Sequence, residues 1–120
     1  MNIRLVHAFR FEAAHRLPKV AEGHKCARLH GHSYLVELSL FGPVNEETGW
    51  LVDFADIEAA WQPLHALLDH QYLNDVPGLE NPTSEVLARF IWKKLFGVLP
   101  GLCRVTVYET ADARCEYEGD

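Results

Sequence analysis

Little in this sequence staples, anchors or repeats. Three cysteines among 120 residues, at positions 26, 103 and 115, are too few and too irregularly placed for a disulfide framework, which favours a reducing compartment. No apolar run approaches the roughly 20 residues that cross a bilayer. The opening Met-Asn-Ile-Arg-Leu-Val-His lacks the apolar stretch of a secretory signal, so a cytoplasmic location without a membrane partner is expected. Positive charge is scarce: 11 Lys and Arg face 17 Asp and Glu, a net charge of −6, which argues against nucleic acid as a partner. Neither a G-x-G-x-x-G fingerprint nor a P-loop is present, so neither a nicotinamide nor a flavin is signalled. There is no internal repeat, linker or low-complexity segment.

What remains is an ordinary globular composition, 48% apolar and 23% charged, in a length that suits one domain, residues 1–120, with a modest core. Ile3, Leu5, His7, Phe9 and Phe11 share one parity of an alternating run, a half-buried strand. His7, on its apolar side, reads as a packed or interface histidine. After an irregular loop marked by Pro18 and Gly23, a second strand carries Tyr34, Val36, Leu38 and Leu40 on one parity and ends at Gly42-Pro43. Asp53 caps a helix whose stripe is Phe54, Ile57, Trp61, Leu64 and Leu68, with irregularity expected at Pro63. Residues 69–81 read as a loop with a turn at Asp75-Val76-Pro77-Gly78. Thr83 caps a second helix with Val86, Leu87, Phe90, Ile91 and Leu95 buried and Gly97 closing it. Strands 102–109 and 114–118 follow. The order β-β-α-α-β-β predicts an α+β fold, a four-stranded antiparallel sheet with two helices on one face. So small a sheet leaves edges and a face in need of cover, and a homo-oligomer is the expected solution.

The chemistry gathers around Cys26-Ala27-Arg28-Leu29-His30-Gly31-His32. In an extended chain, His30 and His32 project from one face, on the parity of Tyr34. Gly31 between them lets the backbone approach whatever the rings hold. Taken alone, the pair also fits a turn with two solvated histidines. With His15, at the end of the first strand, three imidazoles suggest zinc with an open coordination position. Cys26, flanked by Lys25 and Arg28, can act as base or nucleophile, complete a structural zinc site, or simply be buried. Cys103 and Cys115 lie near no motif and read as packing residues. Asp69-His70 at a helix end has the form of a carboxylate orienting a general acid–base imidazole, or of an exposed helix-terminal pair; His24 and His65 are assigned no partner. Glu109 falls on the inward parity of a strand, where a carboxylate needs donors. Either a ligand edge bearing adjacent N–H groups or a nearby arginine, Arg104 or Arg114, would supply them. Arg16, Lys19, Lys25 and Arg28, opposed only by Glu22, form a basic island beside the histidines that suits an anionic small molecule.

Taken in order, Glu12-Ala13-Ala14-His15, Cys26-x3-His30-Gly31-His32-x-Tyr34, Asp53-Phe54, Leu68-Asp69-His70-x-x-Leu73-Asn74, Asn81-Pro82-Thr83-Ser84-Glu85 and Val107-Tyr108-Glu109-Thr110 form a set. From about residue 3 to 119 it resembles the 6-pyruvoyl-tetrahydropterin synthase / QueD family. The three-residue gap Ala27-Arg28-Leu29 is that of the QueD branch. The resemblance implies the tunnelling fold (T-fold), zinc held by His15, His30 and His32, Cys26 as catalytic thiol, Asp69 with His70 as acid–base unit, and Glu109 as pterin anchor. It implies subunits assembled as barrels, commonly hexamers, with sites at subunit interfaces. The implied reaction converts 7,8-dihydroneopterin triphosphate to 6-carboxy-5,6,7,8-tetrahydropterin, releasing acetaldehyde and triphosphate, in queuosine biosynthesis. The basic island is then a candidate triphosphate contact. A pyruvoyl-forming enzyme on the same scaffold, or a non-catalytic zinc module with Cys26 as fourth ligand, are the alternatives.

Overall fold

Odd-numbered residues of the first strand turn inward and even-numbered ones outward, and this parity runs unbroken to His15, further than the apolar alternation alone suggests. In a computed structural model describing residues 1–120, β1 (Asn2–His15) pairs antiparallel with β2 (His30–Pro43) over their full lengths, from Asn2 opposite Pro43 to His15 opposite His30. This 14-residue hairpin gives the molecule its elongation, 57 × 24 × 23 Å. α1 (Phe54–Leu68), β3 (Gln71–Tyr72), α2 (Ser84–Leu95), β4 (Leu102–Tyr108) and β5 (Arg114–Tyr117) follow.

The α+β expectation holds, with a correction to the sheet. It has five strands in the order β3-β1-β2-β4-β5, and β3 lies parallel to β1 at Ala13 and Ala14. The sheet is therefore mixed, and the element order is β-β-α-β-α-β-β. Two residues are too few for an alternating pattern, so the strand was invisible inside a polar loop. Its pairing covers only the last part of β1; the edge of β1 before Ala13 has no neighbouring strand.

Both helices close over the inward face, forming one cluster of 21 buried apolar residues that includes Phe11, Tyr34, Val36, Trp61, Leu87, Ile91 and Val107. Asp53 caps α1 by accepting from the Ala55 N–H (3.0 Å). α1 buries Ile57, Trp61, Leu64 and Leu68 but leaves Phe54 at its first turn half exposed. The helix continues through Pro63. Pro63 and Ala59, whose carbonyl loses its partner, both face solvent, so water can take the freed acceptor. In α2, Ala88 joins Leu87, Ile91 and Leu95 inside, while Val86 and Phe90 sit at the border. Gly97 does not adopt the left-handed closing conformation; instead the Val98 and Leu99 N–H groups both donate to the Leu95 carbonyl. Cys103 and Cys115 are partly buried: the Cys103 thiol donates to the Ser39 carbonyl (3.3 Å), and Cys115 packs against the core. His7 stacks on Phe9 (4.2 Å between centroids).

Candidate active site

The register of the hairpin builds the centre of the site. His15 lies directly opposite His30, and His32 opposite Ala13, so all three imidazoles leave the sheet on its inward parity. Their donor nitrogens lie within 4.8 Å of one another, and ring centroids are 4.5 to 5.0 Å apart.

Hydrogen bonding at the far side of the rings fixes which nitrogens face inward. The Nδ1–H of His15 donates to the Pro82 carbonyl (2.9 Å), and that of His30 to the Arg28 carbonyl (2.8 Å). Carbonyls only accept, so both protons must sit on Nδ1 and both Nε2 atoms carry lone pairs. Those two Nε2 atoms face each other at 2.9 Å. Two lone pairs cannot bond to one another; a proton or a cation between them removes the conflict. The Nε2 of His32 is buried with no hydrogen-bond partner at all. Burial also holds the imidazoles of His15 and His32 below the usual histidine range, opposed at His15 by the Pro82 contact and at His32 by Glu109. Two inward lone pairs, with the unpartnered Nε2 of His32 beside them, make a three-nitrogen donor set of the kind zinc takes, so the residues fit that ion.

Glu109 follows directly on β4 and points at the same place, its Oε1 3.5 Å from His15 Nε2 and 3.7 Å from His32 Nε2. The arginine alternative is overturned: Arg104 pairs with Glu116 and Glu118, and Arg114 with Glu116. Glu109 also lines a cavity of about 400 Å³ with Ser84, Glu85, Ala113, Arg114 and Cys115. Beneath the triad lies Tyr34, buried, its hydroxyl 3.2 Å from His15 Nδ1. Burial, with Glu109 adding to it, pushes its phenol well above the ordinary range, so it stays protonated.

Asp69 and His70 form a second unit. Asp69 ends α1 as its C-cap. Its Oδ1 accepts from the Glu12 N–H (2.9 Å) and its Oδ2 meets His70 Nδ1 at 2.8 Å. The Glu12 N–H, then the His70 contact, hold the Asp69 carboxyl below its ordinary range, and the Asp69 hydrogen bond raises the His70 imidazole above its own. His70 is the one non-glycine residue with positive φ, 56°, and its N–H donates to the Glu12 carbonyl at 2.6 Å. A left-handed backbone on a bulky residue costs energy and recurs where function fixes geometry. His65 does have a partner, contrary to the sequence reading: its Nε2 lies 3.4 Å from Asp69 Oδ2. The signal was its spacing, four residues before a carboxylate at a helix end.

His70 opens into a cavity of about 450 Å³ lined also by Glu12, Ala13, Ala14, Gly31, His32, Ser33 and Gln71. Glu12 and Ser33 are cross-strand partners joined by a 2.6 Å hydrogen bond on the outward parity. His70 thus opens beside Glu12 and Ser33 on the outward parity of the sheet, while the three imidazoles leave it on the inward parity, His32 alone also bordering that cavity. Cys26 lies apart from both, part-buried on a 3-10 turn (Lys25–Ala27), with its N–H donating to His24 Nδ1 and its carbonyl accepting from the Leu17 N–H. It is not among the clustered donors and lines neither cavity, which weighs against a fourth zinc ligand within the chain.

Residues 4–120 match the family described as 6-pyruvoyl tetrahydropterin synthase. The chain belongs to that family. It is 46% identical over 115 residues to 6-carboxy-5,6,7,8-tetrahydropterin synthase of Synechocystis, covering 91% of this chain and 88% of the relative. It is 37% identical over 101 residues to 6-pyruvoyl tetrahydrobiopterin synthase of Dictyostelium discoideum, covering 80% and 75%. The solved structure of Caenorhabditis elegans 6-pyruvoyl tetrahydropterin synthase superposes with a TM-score of 0.92 at 28% identity, over 100% of this chain and 97% of that one. The fold is accordingly the T-fold of the 6-pyruvoyl tetrahydropterin synthase family, as the ordered motifs implied.

Proposed function

We propose that the chain is a zinc-dependent 6-carboxy-5,6,7,8-tetrahydropterin synthase of queuosine biosynthesis, acting in the cytoplasm. It would convert 7,8-dihydroneopterin triphosphate to 6-carboxy-5,6,7,8-tetrahydropterin with release of acetaldehyde and triphosphate. The observation that carries this reading is the convergence of three imidazole nitrogens beside Glu109, in a chain 46% identical to a relative of that name. Zinc, held by His15, His30 and His32, supplies Lewis acidity toward substrate oxygens. Glu109, free of arginine, accepts hydrogen bonds from the amino and ring N–H groups of the pterin. Cys26 takes a proton from the side chain of the substrate, and Asp69 holds His70 so that its Nε2 relays a second. The triad and the acid–base pair of one chain serve opposite faces of the sheet, so each complete site draws on neighbouring copies in a homo-oligomer, a hexamer by family resemblance.

Product analysis by liquid chromatography and mass spectrometry tests the proposal, using zinc-loaded protein and 7,8-dihydroneopterin triphosphate. A 6-carboxy product with acetaldehyde supports it. A 6-pyruvoyl product without acetaldehyde would move the chain to the activity named for the Dictyostelium relative. Unchanged substrate with zinc bound would leave a non-catalytic zinc module.

A further inference from the structure

One titratable side chain near the site has no part in the proposed mechanism. His65 projects from the last turn of α1 one helical turn before Asp69. Asp69 is met from three directions: it accepts hydrogen bonds from the Glu12 N–H on Oδ1 (2.9 Å) and from His70 on Oδ2 (2.8 Å), and His65 Nε2 stands at ion-pair distance from that same Oδ2 (3.4 Å). Two imidazoles sharing one carboxylate oxygen is more than an orienting carboxylate needs. The first two contacts tie the carboxylate to β1 and to an imidazole that is itself largely exposed, so any further restraint on its rotation has to come from α1. A contact from the helix body supplies that restraint.

We propose that His65 is a positioning residue of the acid–base pair, a clamp that keeps the Asp69 carboxylate turned toward His70 so that His70 carries its proton on Nδ1 and presents Nε2 to the cavity. The inference rests on the acid–base reading of Asp69 and His70, but its first test does not need turnover. The charged and titratable groups facing the pair are Glu12 from β1 and His65 from α1, and Glu12 is already engaged by Ser33 (2.6 Å). Removing His65 leaves the Glu12 and His70 hydrogen bonds in place, so it loosens the carboxylate and does not release it.

Nitrogen-15 NMR of the His70 ring in the zinc-loaded oligomer, without substrate, reads the effect directly. The wild type should hold the Nδ1–H tautomer and titrate above an ordinary histidine. His65→Ala, at a partly exposed helical position where alanine is well tolerated, should give mixed tautomers and a midpoint moved back toward the ordinary value. His65→Gln, which keeps a donor near the carboxylate, should restore both. In turnover, His65→Ala should lower kcat about tenfold with KM unchanged, a fraction of what a positioned acid–base group contributes, and His65→Gln should recover most of it. An unchanged His70 tautomer and midpoint in His65→Ala would overturn the proposal. A protein that processes no pterin yet shows the NMR changes would overturn the function and leave the clamp standing.

Discussion

At the scale of single residues, His70 shows how this chain trades backbone ease for a fixed side chain. Its φ of 56° is one that glycine adopts freely and a residue with a Cβ does not. His70→Ala and His70→Gly both remove the imidazole, and both should lose turnover by about two orders of magnitude or more. They should differ in stability: chemical unfolding should find the glycine variant more stable than the alanine variant by about 1 kcal/mol, whereas equal stabilities would mean the conformation is unstrained. Tyr34 makes a second case. Its hydroxyl contacts the ring nitrogen of His15 that points away from the triad, so Tyr34→Phe should leave the fold intact while lowering zinc affinity about tenfold, measured by competition with a chelator. The three imidazoles were legible in the sequence because strand parity alone puts His15 with Phe11 and His30 and His32 with Tyr34. The partners of Glu109 were not, because they depend on a register between β4 and the hairpin that no local pattern encodes. The Pro82 carbonyl was equally hidden, since a backbone acceptor 67 residues away leaves no mark on residue types.

At the scale of elements, the start of α2 ties stability to the metal. Thr83 caps the helix by accepting from the Val86 N–H (3.1 Å), and the preceding residue, Pro82, supplies the carbonyl that sets the His15 tautomer. Thr83→Ala should cost about 1 kcal/mol of stability and, by loosening Pro82, weaken zinc binding as well; a stability loss with zinc affinity untouched would show that the cap and the site are independent. The end of α1 adds a pH signature. The Asp69 carboxyl is depressed in the fold, so its contribution is present above the ordinary carboxylate range and is lost as pH falls through the depressed value. The His70 imidazole is raised, so its contribution is complete below about 6.5 and is lost as pH rises through the raised value. The wild type should therefore exceed Asp69→Asn in thermal stability most clearly on the plateau between the two; the curves should converge as pH falls and only draw closer as it rises, because the Glu12 N–H still holds the ionised Asp69. Both caps could be read from the sequence, because Asp53 and Thr83 precede apolar stripes of helical spacing. β3 could not: two residues, Gln71 and Tyr72, pair with β1 only because α1 delivers the chain there.

At the scale of the whole molecule, the mixed sheet divides the chemistry. Alternation places His15, His30 and His32 on the core side, while Glu12 and Ser33, one residue out of phase, wall the cavity into which His70 opens. Within one chain His70 makes its contacts with Asp69 and Glu12 and none with the three imidazoles. A second copy can bring its own outer face to them, and β1 offers the means, since its edge before Ala13 is unpaired and a long open edge invites another chain. Two consequences can be separated by experiment. On the proposed reading the three zinc ligands come from one chain, so a dissociated variant, such as Val6→Lys on the exposed face of β1, should keep about one zinc per chain while losing turnover, with sedimentation velocity reporting the loss of assembly. If turnover needs the assembly, as proposed, His30→Ala, without its metal ligand, and His70→Ala, without the relay, should each be inactive alone. Dissociated, mixed and reassembled, they should regain activity, because some sites then combine an intact triad from one chain with an intact Asp69–His70 pair from another. Mixtures that stay inactive after verified subunit exchange would mean that triad and acid–base pair act within one chain, and that the two faces of the sheet do separate work.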